Sequence, residues 1–412
     1  MKKIYHILLG LLLIISFGCA KDENKIIESE QPHCQRTKLE KQFIVHWKSG
    51  KSTLIHTNKA DDLANFFKKN NTNINFIEPN YLLLHANKSV IAPFNLVHPA
   101  RSVHELIHTQ FMWRQGFQGQ NIVVAIIDTG INLNHPQLKS HLVINEIETL
   151  YQINGIDDDN NGFVDDIYGW NFVNNQTESI DEHGHGTAMA GIITGSTNSR
   201  PSLSMAPLAK ILPVDFMNEN GGTEFHAQQA IAYAISRKVH IINNSWSINC
   251  SELLKQAFIS WKNENVIFVN AAGNSPIDVV INEIVPSSLD LPNSLNVGSL
   301  DEFGKRSSYS GFGKTVKIFA PGEFIPTIYP TSGLNESVPT SGTSVSAAIV
   351  SGAAALLWSA FPEASAVQII DLLTLSANQE PASQQVLDLK KALYLGNNLF
   401  HENRNYGHGV SN

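Results

Sequence analysis

Three cysteines in 412 residues are too few for a disulfide scaffold. Cys19, Cys34 and Cys250 lie far apart and match no zinc spacing. One pairing, Cys34–Cys250, is conceivable, with no spacing rule in its favour. Charge is also scarce: Asp, Glu, Lys and Arg make up 16% of the chain, and the net charge is −8. That balance argues against a disordered chain. It also argues against a nucleic-acid partner, because phosphate binding needs clustered Lys and Arg. There is no internal repeat and no low-complexity tract. The amino-terminal apolar run, Ile7–Gly18, has 12 residues, too short for a comfortable membrane span. What remains is a 42% hydrophobic chain, long enough for one large catalytic domain and a smaller one.

The first 18 residues read as a signal peptide. Lys2 and Lys3 precede the apolar run, which ends Ser16-Phe17-Gly18-Cys19. A small residue before Cys resembles a bacterial lipobox, in which Cys19 would become diacylated, although Ser16 and Phe17 depart from that pattern. The alternative is an ordinary secretory peptide with a coincidental Cys. Both readings export the protein, and the first anchors it to a membrane face without a spanning helix.

Residues 19–40 read as a polar linker. Within 41–92, Gln42–Trp47 and Ser52–His56 alternate as short strands, Lys59–Lys69 has helical periodicity, and Asn73–Ile77 and Tyr81–His85 read as strands again. Residues 1–92 carry 13 Lys and Arg against 8 Asp and Glu, a balance of +5, whereas 93–412 carry 16 against 29, a balance of −13. From Ile122 the pattern changes. Ile122–Ile127 is a continuous apolar run, as expected of a strand buried on both faces. Ile211–Val214, Val239–Asn243 and Val266–Ala271 are similar, with helical patterns at Ala188–Ile193, Ala227–Lys238 and Leu253–Asn263 between them. Alternation of this kind predicts an α/β fold, a mostly parallel sheet with helices on both faces, over 93–398, and a tail at 399–412. Ligands in such sheets sit at the carboxyl ends of strands.

Four motifs stand at strand ends or helix starts. Asp128 follows the first apolar run in Asp128-Thr129-Gly130. His185 stands between glycines in His183-Gly184-His185-Gly186-Thr187, ahead of a small-residue helix. Asn274 follows a buried strand in Asn270-Ala271-Ala272-Gly273-Asn274. Ser344 opens an apolar helix in Ser341-Gly342-Thr343-Ser344, where free amides and the helix dipole favour a developing negative charge. Taken singly, each reads equally well as a cap, a turn or a structural histidine.

Together, in the order Asp, His, Asn, Ser, they resemble the subtilisin-like serine proteases, whose triad follows that chain order. The likeness covers about residues 108–395, and Ser245-Trp246-Ser247, Tyr309–Gly313 and Ala320-Pro321-Gly322 also look like the family. It implies Ser344 as nucleophile, His185 as base and then acid, Asp128 as the group that orients the imidazole, and Asn274 with the Ser344 N–H as the oxyanion hole. It further implies that extended protein or peptide substrates lie against Ser245-Trp246-Ser247 and Gly221-Gly222, with Ala271, Ala272 and Gly273 lining part of the primary pocket. There are three departures from the family, at four positions: Ala348 replaces a proline, Ala188 a second histidine, and Val345-Ser346 the commoner Met-Ala. A catalytically silent binding lipoprotein on the same scaffold is therefore the competing reading. An esterase is disfavoured because no Gly-x-Ser-x-Gly surrounds Ser344.

Asp157-Asp158-Asp159-Asn160-Asn161-Gly162-Phe163-Val164-Asp165-Asp166 resembles the start of an EF-hand loop, with oxygen donors at alternating positions and Gly sixth. Asp157, Asp159, Asn161, Phe163 (through its carbonyl), Asp165 and Asp166 are the candidate ligands of a structural calcium. The twelfth-position Glu is missing, and Tyr168 stands there instead. A commoner subtilase calcium site needs an Asp where this chain has Gln137. Finally, Phe76-Ile77-Glu78-Pro79-Asn80-Tyr81 looks like the end of a subtilase inhibitor propeptide. The protein is thus expected to be a monomeric zymogen cut somewhere within 86–110, with its own propeptide as a partner.

Overall fold

The computed structural model describes residues 34, 36–57, 60–70, 72–83, 100–150, 153–195, 203–331, 337–377 and 386–401. Cys19 lies outside them. The chain divides into two compact units. One contains Phe43–Glu78, and the other contains Ser29–Gln42 together with Pro79–Asn412.

In the small unit the strand Ser52–His56 and the parts of the strands Thr37–Trp47 and Ile74–Leu83 that fall within Phe43–Glu78 lie side by side in that order, accompanied by the helix Ala60–Asn70. Val45, Ile74 and Ile77 form its core, with Leu63, Phe66 and Phe67 of the helix packed against them. The two strands expected over 73–85 are one strand, Ile74–Leu83. Pro79 removes a single ladder donor while keeping an extended φ, so the strand runs through it.

The large unit is built on a seven-stranded sheet whose order is Val316–Pro321, Ser294–Leu300, Ile267–Ala271, Ile241–Asn244, Val123–Asp128, Lys210–Asp215 and Trp170–Asn171. Every neighbouring pair is parallel. Val124 and Ile126 face a core shared with the helices His185–Thr194 and Thr343–Ala360, whereas Ala125 and Ile127 face a second core against Glu224–Ser236. Burial on both faces is why the strand sequences are apolar without alternation.

The helix Thr343–Ala360 is apolar and long enough to cross a membrane, yet 89% of it is buried inside the fold. Its small residues let neighbours come close. A Cβ on Gly352 would stand 2.3 Å from the Cβ of Met205. Near the carboxyl edge of the sheet, three buried asparagines bridge adjacent strands. Asn244 Nδ2 donates to Asn270 Oδ1 and Asn270 Nδ2 to Asn296 Oδ1, both at 2.9 Å. Asn296 Nδ2 ends on the carbonyls of Leu289 and Thr315. Buried amides need such partners, and this ladder ties together the strands that lead into Ser245 and Asn274.

Candidate active site

Asp128 is the last residue of its strand and His185 the first of its helix, so both reach the carboxyl edge of the sheet. Asp128 Oδ1 accepts from His185 Nδ1 at 2.7 Å and from the Thr129 N–H at 2.8 Å. The carboxylate is 1% exposed. The glycines beside His185 make this approach possible. Gly184 has φ +90°, a left-handed conformation that other residues rarely adopt. A Cβ on Gly186 would lie 2.1 Å from the Gly130 carbonyl oxygen, so any side chain there would force the histidine helix off the aspartate strand.

Ser344 lies in the first turn of its helix, which packs against the histidine helix. Its hydroxyl donates to the Ser245 carbonyl at 3.0 Å, and the Ser245 hydroxyl donates back to the Ser344 carbonyl at 3.2 Å. Ser245 follows the strand next to that of Asp128, so the serine is held at the same edge. Thr343 sets Asn274. Its N–H and its hydroxyl both donate to Asn274 Oδ1, at 2.8 and 2.9 Å, while its own oxygen accepts from the Gly273 N–H at 3.1 Å. With its oxygen engaged twice, the Asn274 amide has its NH2 end left for an acceptor beside Ser344.

Two further carboxyls stand close to the Asp128–His185 pair. Asp181 accepts from the Thr129 hydroxyl at 2.8 Å and from the N–H groups of Gly184 and Thr187, fastening the loop ahead of His185. Asp215 is the cross-strand neighbour of Asp128 and is held by the Ser179 hydroxyl at 2.8 Å. Burial pushes the Asp215 carboxyl well above the usual carboxylate range, and the charges of Asp181 and Asp128 push the same way. Burial pulls His185 down, but the charge and hydrogen bond of Asp128 and the charge of Asp181 outweigh it, so its pKa stands above the ordinary value. Asp181 and Asp215 escaped the sequence reading because only the fold brings them to Asp128.

The acidic loop is organised differently from the sequence expectation. The carboxylate oxygens of Asp157 and Asp159 gather with those of Glu148, all within 4.8 Å of one another. Glu148 precedes the loop and is fully buried. Its Oε1 accepts from the N–H groups of Asp158 and Asp159, and its Oε2 has no hydrogen-bond partner. Burial and the charges of Asp159 and Asp166 raise its pKa. The carboxylate missing at the twelfth position is thus matched by one from outside the loop. Asn161 stays with the cluster, donating from Nδ2 to Asp159 and Asp166. Asp165 turns away to the N–H groups of Asn154 and Gly155, and Asp166 pairs with Arg237 at 2.8 Å and Tyr233 at 2.6 Å. Phe163 packs its ring on Trp170, Phe172 and Tyr233. A buried carboxylate oxygen without a donor, facing two more carboxylates, fits a hard cation.

Residues 119–409 match the family model described as the subtilase family, peptidase S8. The chain belongs to the subtilase family. It is 30% identical to subtilisin DY of Bacillus licheniformis over 275 residues, covering 66% of this chain and 89% of that protein. It is also 30% identical over 300 residues to subtilisin-like protease 1 of Plasmodium falciparum, of which it spans 43%. The crystal structure of a cold-adapted subtilisin-like serine proteinase superposes with a TM-score of 0.54 at 27% identity, covering 66% of this chain and 90% of that one. The subtilisin-like α/β fold expected from the sequence is therefore the fold of this subtilase.

The residues expected to bind substrate fall into two groups. Gly221 and Gly222 form a strand edge, and in the large unit Leu83 and Leu82 pair antiparallel with Gly222 and Thr223. A Cβ on Gly221 would lie 2.3 Å from the Leu83 carbonyl oxygen. Ser247 faces Gly273, whose added Cβ would stand 3.5 Å from Ser247 Oγ. Trp246, by contrast, is 4% exposed and packs on Phe216 in the core. Ala271 and Ala272 are likewise buried in two different cores. A tryptophan flanked by serines gives no sequence sign of which way it turns.

Proposed function

We propose that this subtilase is an exported serine endopeptidase, made as a zymogen, that hydrolyses peptide bonds through an acyl-enzyme. The observation that carries the reading is the 2.7 Å Asp128–His185 hydrogen bond at the mouth of a helix packed against the one that opens with Ser344. The Ser344 hydroxyl turns from the Ser245 carbonyl and passes its proton to His185 Nε2 as it attacks the substrate carbonyl. Asp128 fixes the tautomer and stabilises the imidazolium. The developing oxyanion is met by the Asn274 NH2 and the Ser344 N–H. His185 then protonates the leaving amine, and water repeats the sequence on the acyl-enzyme.

Substrate is an extended protein segment laid along Gly221–Gly222 and Ser245–Ser247, with main-chain pairing as the main source of affinity. The zymogen reading is supported by Leu82 and Leu83, which occupy the same edge. Glu148, Asp157 and Asp159 would hold a structural calcium, which supplies charge balance to the loop and takes no part in the chemistry. The amino-terminal signal points to export, with Cys19 as a lipid attachment site.

Ser344→Ala tests the reading. It is expected to abolish labelling by a fluorophosphonate probe, to lower peptide turnover by about 10⁶-fold, the scale of serine removal in subtilisin, and to leave the chain uncut between residues 86 and 110. Turnover retained in this variant would overturn the assignment.

A further inference from the structure

Within the large unit, the stretch at Cys34–Arg36 and the stretch at Tyr81–Leu83 meet around one residue, Glu224. Cys34 forms a disulfide with Cys250, Cα to Cα 5.6 Å, across 216 residues of sequence. Cys250 is buried, and the next residue, Ser251, caps the helix Glu252–Ser260. The Ser251 hydroxyl donates to Glu224 Oε2. The other oxygen of Glu224 accepts from Arg36 at 2.8 Å, with side chains 7% and 0% exposed. The Arg36 guanidinium lies 3.7 Å over the ring of Tyr81. Leu82 and Leu83 then pair with Thr223 and Gly222, directly before Glu224. Covalent bond, ion pair, cation–π contact and strand pairing form one closed circuit around Glu224.

We infer that the Cys34–Cys250 disulfide makes processing non-releasing, so that the mature protein is two chains joined through Cys250. The inference rests on the zymogen reading for the cut itself. Hydrolysis within 86–110 breaks one C–N bond. Water gives its hydroxyl to the acyl carbon and a proton to the new amine, and no electrons reach the S–S bond. The segment before the cut therefore stays attached, and Leu82–Leu83 face the Gly221–Thr223 edge at a local concentration on the order of millimolar. Departure needs thiol–disulfide exchange with a dithiol, which is oxidised as Cys34 and Cys250 each gain a hydrogen. It also leaves the buried Glu224 without Arg36. A lipid on Cys19, on the same side of the cut as Cys34, would go on holding the catalytic chain at the membrane.

The test uses the full chain with Ser344→Ala and a recognition sequence for an added endoprotease at residues 90–95, so that cutting does not depend on self-processing. After the cut, a denaturing gel should show one species without reductant, which intact mass spectrometry finds heavier than the uncut chain by one water, and two fragments with reductant. Adding Cys34→Ser should give two fragments in both lanes. Peptide mapping of the unreduced parent, which needs no cysteine variant, should find the Cys34 and Cys250 peptides linked. Two fragments without reductant from the Cys34 protein, or unlinked peptides, overturn the inference. Wild-type protein run alongside reports on the zymogen separately, because a chain that stays whole after reduction refutes self-cleavage while the added protease still decides the tether.

Discussion

Two clusters of carboxyls, each with buried members, stand in the same unit, and they settle their charge in opposite ways. Around the Asp128–His185 pair the fold places Asp181 and, across the sheet from Asp128, Asp215. Here the compensation is internal and mobile. The imidazole can take a proton, Asp128 is bonded to it at 2.7 Å, and Asp215 is pushed toward its neutral form. Around the loop 157–166 the fold places Glu148, Asp157, Asp159 and Asp166. Among the described residues only Asp166 has a cationic partner, Arg237, and the donors to Asp157, Asp159 and Glu148 Oε1 are amides. Glu148 Oε2 lacks a hydrogen-bond partner among the described residues, as do Asp128 Oδ2 and Asp215 Oδ2, so the difference lies in the cation and not in the donors. The first cluster is arranged to move a proton, and the second is left short of a fixed positive charge. Carboxylates alone do not separate these roles. What distinguishes them is whether a titratable cation is built in beside them.

The sharpest way to break the first cluster is Asp128→Asn. Orientation of the imidazole is lost while the shape is kept, so kcat is expected to fall by about 10⁴-fold with little change in KM. The pH profile should move as well. His185 must be neutral to act as a base, and its raised pKa places the acid limb of kcat/KM above the ordinary histidine value. In the variant that limb should shift to lower pH. For stability the sign is the reverse. A raised histidine pKa stabilises the fold at pH below the unfolded value, and the contribution fades as pH climbs through the folded one. An unmoved acid limb in Asp128→Asn would mean that the pair does not set it.

Asn274→Ala is expected to cost about 10²–10³-fold in kcat, the usual loss for one oxyanion donor, while binding of a ground-state peptide analogue stays close to wild type. Thr343→Val should reproduce a smaller part of that loss. It removes the hydroxyl that donates to Asn274 Oδ1 but keeps the Thr343 N–H that also does so. Equal losses in the two variants would show that Thr343 acts on more than the amide.

The sequence carried the reactive half of this comparison better than the electrostatic half. Asp128, His185, Asn274 and Ser344 each sit beside glycines or at helix starts, features that local spacing displays. The parallel strands were visible because burial on both faces leaves continuous apolar runs such as Ile122–Ile127. Glu148 was not visible, since it stands nine positions before Asp157 and outside the loop motif. Asp215 looked like an ordinary strand end, because its neighbour Asp128 is 87 positions away and only sheet register joins them. Cys34 and Cys250 gave no signal for the same reason. Trp246, which the resemblance sets along the substrate path, buries its ring against Phe216, and two flanking serines carry no sign of that direction.

The loop cluster is sharpened by calcium. Binding to the folded state adds about 2.7 kcal/mol at a hundredfold excess over Kd, which corresponds to several degrees in Tm for a domain of this size. Glu148→Gln should abolish most of that increase. Without calcium the same variant should melt no lower than wild type, because it removes buried like-charge repulsion from Asp159 and Asp166. Calorimetry with calcium and with chelator distinguishes the two arms. A full calcium shift in Glu148→Gln would return the second cluster to an ordinary acidic loop.

The smallest effect belongs to Asp215, and it bears most directly on the contrast. If its carboxyl is the neutral member of the catalytic cluster, asparagine is a close replacement, and kcat in Asp215→Asn should stay within a few-fold of wild type. The stability change has a defined direction. A carboxyl whose folded pKa is raised contributes stability below its unfolded value and loses it as pH rises through the folded one. Asparagine does not titrate, so the variant should gain on wild type as pH increases from about 4 toward 8, by the ordinary carboxylate reference. Urea unfolding across that range measures the gain. A variant that instead loses stability at pH 8, together with more than tenfold in kcat, would show Asp215 to be charged, and three anions would then surround one imidazole. The catalytic cluster would lack positive charge as the loop does, and the contrast between the two would fail.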